Sequence, residues 1–116
     1  MIAKMQKLEV VFFRTEQGSE PVREWLQSLP KPDRQIIGQN MMTVQYGWPV
    51  GMPLVRSLGQ RLWEVRSVLL RGVARIIFLF DNDCMVLLHG FIKKTQSTPL
   101  HELALAKKRS VIYMTS

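Results

Sequence analysis

Apolar positions along this chain change period twice, and each change marks a different kind of element. From Leu8 to Arg14, "LEVVFFR", they are nearly continuous and rich in β-branched and aromatic side chains. The polar stretch "TEQGSEP" bounds this run, which predicts a first strand. Ser19, Glu20 and Pro21 then form a helix start, with the proline where its missing N–H costs nothing. Val22, Trp25, Leu26 and Leu29 follow at i, i+3, i+4 and i+7, the stripe of an amphipathic helix. Pro30 and Pro32 interrupt it. Pro32 opens a second helix with the stripe Ile36, Ile37, Met41 and Val44, closed by Gly47. Two antiparallel helices joined by a tight turn are expected.

"WPVGMP", Trp48 to Pro53, reads as a loop because Pro and Gly punctuate it every few residues. After it the period shortens to two. In "RLWEVRS" Trp63 and Val65 face one way and Glu64 and Arg66 the other. "VARIIFLF", Val73 to Phe80, is almost unbroken, as in a strand covered on both faces. Asp81 to Asp83, "DND", is a turn signal, and Met85 to Ile92 runs back as a further strand. Thr98 and Pro99 start a last helix reaching about Arg109, with Thr98 as the expected N-cap. The predicted class is α+β: a small antiparallel sheet, in the order β-α-α-β-β-β-α, flanked by helices.

Composition narrows this further. With 116 residues, 47% of them hydrophobic, the chain is expected to form one globular domain spanning 1–116. No apolar run approaches the roughly 18 residues of a membrane span, and "MIAKMQKLEV" lacks the apolar core and cleavage site of a signal peptide. The single cysteine, Cys84, offers neither an internal disulfide nor a metal-ligand cluster. No membrane partner is expected, and the cytoplasm is the expected home. Charge says more: 16 Lys+Arg against 9 Asp+Glu give +7 and a pI near 10.1. That balance favours a polyanionic partner such as nucleic acid or an acidic protein. Arg56, Arg61, Arg66, Arg71 and Arg75 fall close together, followed by Lys93 and Lys94, then Lys107, Lys108 and Arg109.

Strand parity sorts the candidate chemistry. Arg75 lies in an apolar run with Ile77 and Leu79, where a guanidinium is costly unless paired or able to reach water. Two readings stand. In one, Arg75 pairs with Glu64 or a helix carboxylate. In the other, adjacent strands aim Arg66, Arg75 and Lys93 or Lys94 into one concave phosphate-binding patch, where arginine forks and lysine point charges suit phosphate oxygens. His89, between Leu88 and Gly90 in a buried-looking strand, reads first as a satisfied core histidine, and His101 as an exposed residue of the last helix's first turn. Glu64 is open to two roles, as a base or as the group orienting Arg66 or Arg75. Trp48 either stacks on a base or caps the core. The methionines read as core filler. The sequence has no phosphate-cradling glycine loop, metal-ligand spacing or nucleophile elbow, and it calls for no metal and no cofactor.

Taken together, "LGQRLWEVR" (Leu58 to Arg66), Arg75 in "VARIIF", "LLHGFIKKTQSTP" (Leu87 to Pro99) and "ELALAKKR" (Glu102 to Arg109) resemble the phage-derived Gp49-like, HigB-type toxins of the RelE/ParE superfamily. The likeness covers roughly residues 8 to 109, and its C-terminal block is the specific part. It implies a compact antiparallel sheet with flanking helices and an endoribonuclease that cuts messenger RNA on the ribosome. It also implies a cognate antitoxin, a helix-turn-helix protein, encoded nearby. By position the likeness makes Arg66, Arg75, Lys93 and Lys94 the phosphate-stabilising cations and His101 the candidate acid. Arg61, Arg71, Gln96 and Trp48 become expected RNA contacts. Ser97 stands where relatives often carry lysine. The superfamily also holds gyrase inhibitors that act by protein binding, so a ParE-like poison and an inactive antitoxin-binding module are the alternatives.

Overall fold

The structure, a computed structural model, describes residues 7–93 and 98–116. Its elements run β1 (Glu9–Phe12), α1 (Pro21–Gln27), α2 (Lys31–Gly47), β2 (Val55–Gly59), β3 (Leu62–Leu69), β4 (Gly72–Asp81), β5 (Cys84–Lys93) and α3 (Leu100–Thr115). The strands form one sheet in the order β1-β5-β4-β3-β2. The expected class holds, with two additions. "VRSLG" is a short strand antiparallel to β3, and β1 joins the other edge parallel to β5, pairing Glu9 with Cys84 through Phe12 with Leu87. The sheet is therefore mixed. No helix among the described residues is long and apolar enough to cross a membrane.

Two tight turns set the register of the long strands. Gln60 and Arg61 (φ 55° and 64°) link β2 to β3, and Asn82 and Asp83 (φ 47° and 60°) link β4 to β5. Asn and Asp visit this left-handed region at little cost, which is why "DND" signals a hairpin. Arg61 is held there by its own side chain: Nε donates to the Phe80 carbonyl at 3.1 Å and Nη2 to Asp81 Oδ1 at 2.6 Å.

The sheet separates two cores. On one face α1 and α2 bury Val22, Ile37, Met41 and Val44 against Val65, Ile76, Phe78, Met85 and Leu87. Ile36, expected on the α2 stripe, is instead exposed. Trp25 of α1 packs so closely on β5 that a Cβ at Gly90 would stand 2.4 Å from its ring, so only glycine fits there. On the other face α3 lays Ala106, with Leu103 and Tyr113, over Phe13, Ile77, Leu79, Val86 and Leu88. A bulge between β4 and β5 shifts the register after Ile77–His89, so the neighbours Leu88 and His89 serve the same side. α3 continues past Arg109 to Thr115 because Tyr113 still reaches this second core. Its N-cap is Pro99 rather than Thr98, whose hydroxyl is used elsewhere.

Candidate nucleic-acid interface

Register across β2–β5 collects the charged positions of the α3 face into two rows. One runs Arg56, Glu64, Ile77, His89; the next runs Arg66, Arg75, Phe91. Lys93, two residues beyond Phe91 and opposite Val73, ends β5 on the same side. α3 rests on β4 and β5, which leaves the β2–β3 part of this face largely without a helix over it. Three cations, Arg56, Arg66 and Lys93, are partly exposed there around a buried centre.

That centre is ionic. The side chains of Glu64 and Arg75 are both 0% exposed, with Arg75 Nη1 3.7 Å from Glu64 Oε1. Thr98 joins them: its hydroxyl donates to Glu64 Oε2 at 2.6 Å and accepts from Arg75 Nη1 at 3.4 Å. A hydroxyl has one proton and spare lone pairs, so Thr98 satisfies an anion and a cation together. Burial lowers the Arg75 pKa from its ordinary value; Glu64 opposes that shift, while Arg66 and Arg56 add to it. Guanidinium repulsion in this cluster is the condition under which an added phosphate would be stabilising.

A second polar cluster fastens α3 beside it. His89 Nε2 lies 2.9 Å from Glu102 Oε1, and its Nδ1 lies 3.4 Å from Arg109 Nη1. Arginine only donates, so Nδ1 accepts and Nε2 carries the proton given to Glu102. Arg109 also donates to the Leu88 carbonyl at 2.8 Å, and burial lowers its pKa. His89 stacks on Phe91 as well. It is a partnered histidine that ties helix to strand.

The structure distributes the expected site residues unevenly. Arg66 and Lys93 share the open face, and Arg75, expected from the resemblance to be a phosphate-stabilising cation, sits beneath it in an ion pair with Glu64, the other of the two readings the sequence left open. His101, 79% exposed on the first turn of α3, has Nε2 3.7 Å from Glu102 Oε1. Arg61 is engaged with Asp81 at the far end of β4. Arg71, in the β3–β4 turn, leans toward Asp33 of α2 at 3.5 Å, on the helical side. Lys94, Gln96 and Ser97 lie outside the described residues. Trp48 corrects an expectation: it is 5% exposed, edge-on to Trp63 and stacked on Phe80, and so caps the core instead of offering its ring to a base.

Two participants escape a reading of the sequence. Arg56 joins the cation group only because β2 exists, and "VRSLG" is too short and too polar to announce a strand. Thr98 carries a local signal for an N-cap, which hides its contacts with Glu64 and Arg75, 34 and 23 residues away.

Among curated proteins none matches the chain. A family model does, described as phage-derived protein Gp49-like, over residues 24–111. That span starts within α1 and takes in the whole cationic face, the buried ion pair and most of α3. With well over half of its length matched, the chain belongs to the Gp49-like family of phage-derived, toxin-like proteins.

Proposed function

We propose that this chain is the toxin of a type II toxin–antitoxin pair and acts as an endoribonuclease on messenger RNA being translated at the ribosome. The observation that carries the reading is the group Arg56, Arg66 and Lys93, partly exposed on the sheet face that α3 covers only in part, above a buried guanidinium. Lys94, next in the chain, adds a further cation in this reading. Such a group suits a phosphodiester whose negative charge grows during cleavage. The RNA's 2′-hydroxyl loses its proton to a base and attacks phosphorus. The P–O bond to the 5′-oxygen breaks, and an acid protonates the departing oxygen, leaving a cyclic phosphate and a 5′-hydroxyl. His101 is the proposed acid, since its imidazole stands exposed on the first turn of α3 and a ring N–H can donate a proton. Arg75 acts from below as a positioning residue, through Arg66 and the local potential. A cognate antitoxin is the expected protein partner of a toxin-like chain.

The test is to induce the protein in a bacterial host and map messenger 5′ ends within minutes. In-frame cuts inside translated regions, lost in Arg66→Ala and Lys93→Ala variants of unchanged thermal stability, are the expected result. Growth arrest with intact messages would sink the nuclease reading and favour a gyrase-directed inhibitor.

A further inference from the structure

β3 outruns its neighbour in the sheet. β2 begins at Val55, opposite Val65, and the Arg66 N–H donates to the Leu54 carbonyl at 2.9 Å. Beyond that bond Ser67 to Leu69 have no strand on this side among the described residues. Backbone groups of a strand turn alternately to its two edges, so two residues past Arg66 the Val68 N–H and C=O face the gap. Side chains alternate between the two faces: Ser67 is buried toward α2, and Arg66 and Val68 project on the cationic side.

An open cleft of about 520 Å³ wraps around the sheet edge at this gap. Ile36 and Asn40 of α2, Leu54, Val68 and Val73 line it, and Arg66 stands in its wall; no acidic side chain lines it. Val68 is 77% exposed and Ile36 40%, so two apolar side chains face water on its rim. Asn40 gives Nδ2 to Ser67 Oγ at 2.9 Å, which leaves Oδ1 as an acceptor beside the cleft. Arg66 belongs to the cleft and to the cation group at once, so a strand whose phosphate lies on Arg66 brings an adjacent base to this opening. Apolar walls and a guanidinium plane suit the face of a base, and backbone and amide groups suit its rim. A peptide strand fits less well, because Val68 alone offers it ladder groups here.

We infer that this cleft receives one base of the bound RNA and selects a base carrying an exocyclic amine. The rim offers one donor, the Val68 N–H, and two acceptors, the Val68 C=O and Asn40 Oδ1. In cytosine and adenine an amine with two hydrogens adjoins a ring acceptor, which matches that set; uracil has no amine and a single N–H between two carbonyls. The inference rests on the RNA reading of the cation group and adds a base subsite to it.

The experiment measures binding of short 2′-O-methyl oligonucleotides, which lack the attacking hydroxyl, to the full chain by competition fluorescence anisotropy at low salt. All-cytosine strands, all-uracil strands and cytosine strands with one abasic position in turn are compared. The proteins are the parent, Ile36→Ala combined with Val68→Ala, Arg66→Ala, and Val111→Ala as a control at an exposed position of α3. Cytosine strands are expected to bind about threefold or more tighter than uracil strands. One abasic position is expected to cost about tenfold. Both differences should shrink in the Ile36→Ala and Val68→Ala double variant and persist in Val111→Ala. Both truncated side chains are exposed, and thermal melts show that the variant folds. Every strand should bind Arg66→Ala more weakly. Equal affinity for cytosine, uracil and abasic strands, or differences that survive the truncation in full, would overturn the inference and leave the RNA reading standing. Binding that is absent, or indifferent to Arg66→Ala, would overturn the RNA reading and the inference with it.

Discussion

Replacing Arg75 with alanine tests the buried centre most directly, and the structure makes the outcome one of stability before activity. At 3.7 Å, with both side chains 0% exposed, the Arg75–Glu64 attraction at an effective dielectric near 20 is about 4–5 kcal/mol. Much of that is offset by the desolvation of both ions. Removing only the cation leaves the Glu64 carboxylate buried with Thr98 as its remaining close donor among the described residues, a loss of about 3–5 kcal/mol. At an unfolding entropy of roughly 2.1 cal/mol/K per residue, 116 residues lose about 4 °C per kcal/mol, so the melting point should fall by about 12–20 °C. Replacing both partners by apolar groups of similar shape, Glu64→Leu with Arg75→Met, should recover most of the loss. Arg66→Ala and Lys93→Ala should each stay within about 1 kcal/mol of the parent. Urea unfolding followed by circular dichroism reads all five proteins. An Arg75→Ala loss below about 1 kcal/mol, or a double variant no more stable than Arg75→Ala, would refute the buried-pair reasoning. The folded double variant also shows whether Arg75 contributes to activity at all, which Arg75→Ala cannot.

Three further outcomes are expected. Thr98→Val should cost about 1–3 kcal/mol in urea unfolding, because it strips Glu64 Oε2 of its hydroxyl donor, and Thr98→Ser should restore most of it. Gly90→Ala should destabilise by about 1–3 kcal/mol despite alanine's lower unfolded entropy, since the added Cβ would meet the Trp25 ring at 2.4 Å; stability recovered by Trp25→Leu in the same chain would check the cause. Burial, with help from Glu9, Asp81 and Asp83, raises the Cys84 thiol above its ordinary 9.0, and burial with Cys84 and Asp81 raises Tyr113 above 10.0. Both groups hold their protons more tightly when folded, so this contribution is full below pH 9 and is lost as pH rises through the folded values. Unfolding free energy should therefore fall from pH 8 to pH 10.5, and fall less in Cys84→Ser; an equal slope would contradict it.

The cleft and the cation group together bear on how the molecule can be switched. Any partner that silences the cation face by contact must cover β2 and β3, the part that α3 leaves open. The cleft beside Val68 opens at the edge of that same region and shares Arg66 with it, so a partner that fills the cleft occludes a base position and a cation together. Phosphate binding and base selection are separable in this architecture, and variants in Arg66 and in Ile36 with Val68 separate them.

Legibility followed the range of the interactions. The stripe Val22, Trp25, Leu26, Leu29 and the turn Asp81–Asp83 declare their elements because helix faces and hairpin turns are decided by residues a few positions apart. Strand parity likewise aims Arg66, Arg75 and either Lys93 or Lys94 at one face from the sequence alone, and the register puts Lys93 there. Depth is another matter. Whether a guanidinium on that face ends in water or beneath it depends on what arrives from elsewhere in the chain, here Glu64 from the neighbouring strand and Thr98 from the head of α3. Trp48 fails in the converse sense: its loop is marked only by Pro and Gly, yet Trp63 and Phe80 frame a slot that its large ring fills. Both cases turn on contacts across more than ten residues that no local pattern encodes. The edge strand β2 belongs with them, because five residues with two apolar side chains become a strand only when β3 offers a free edge, and with that strand comes Arg56.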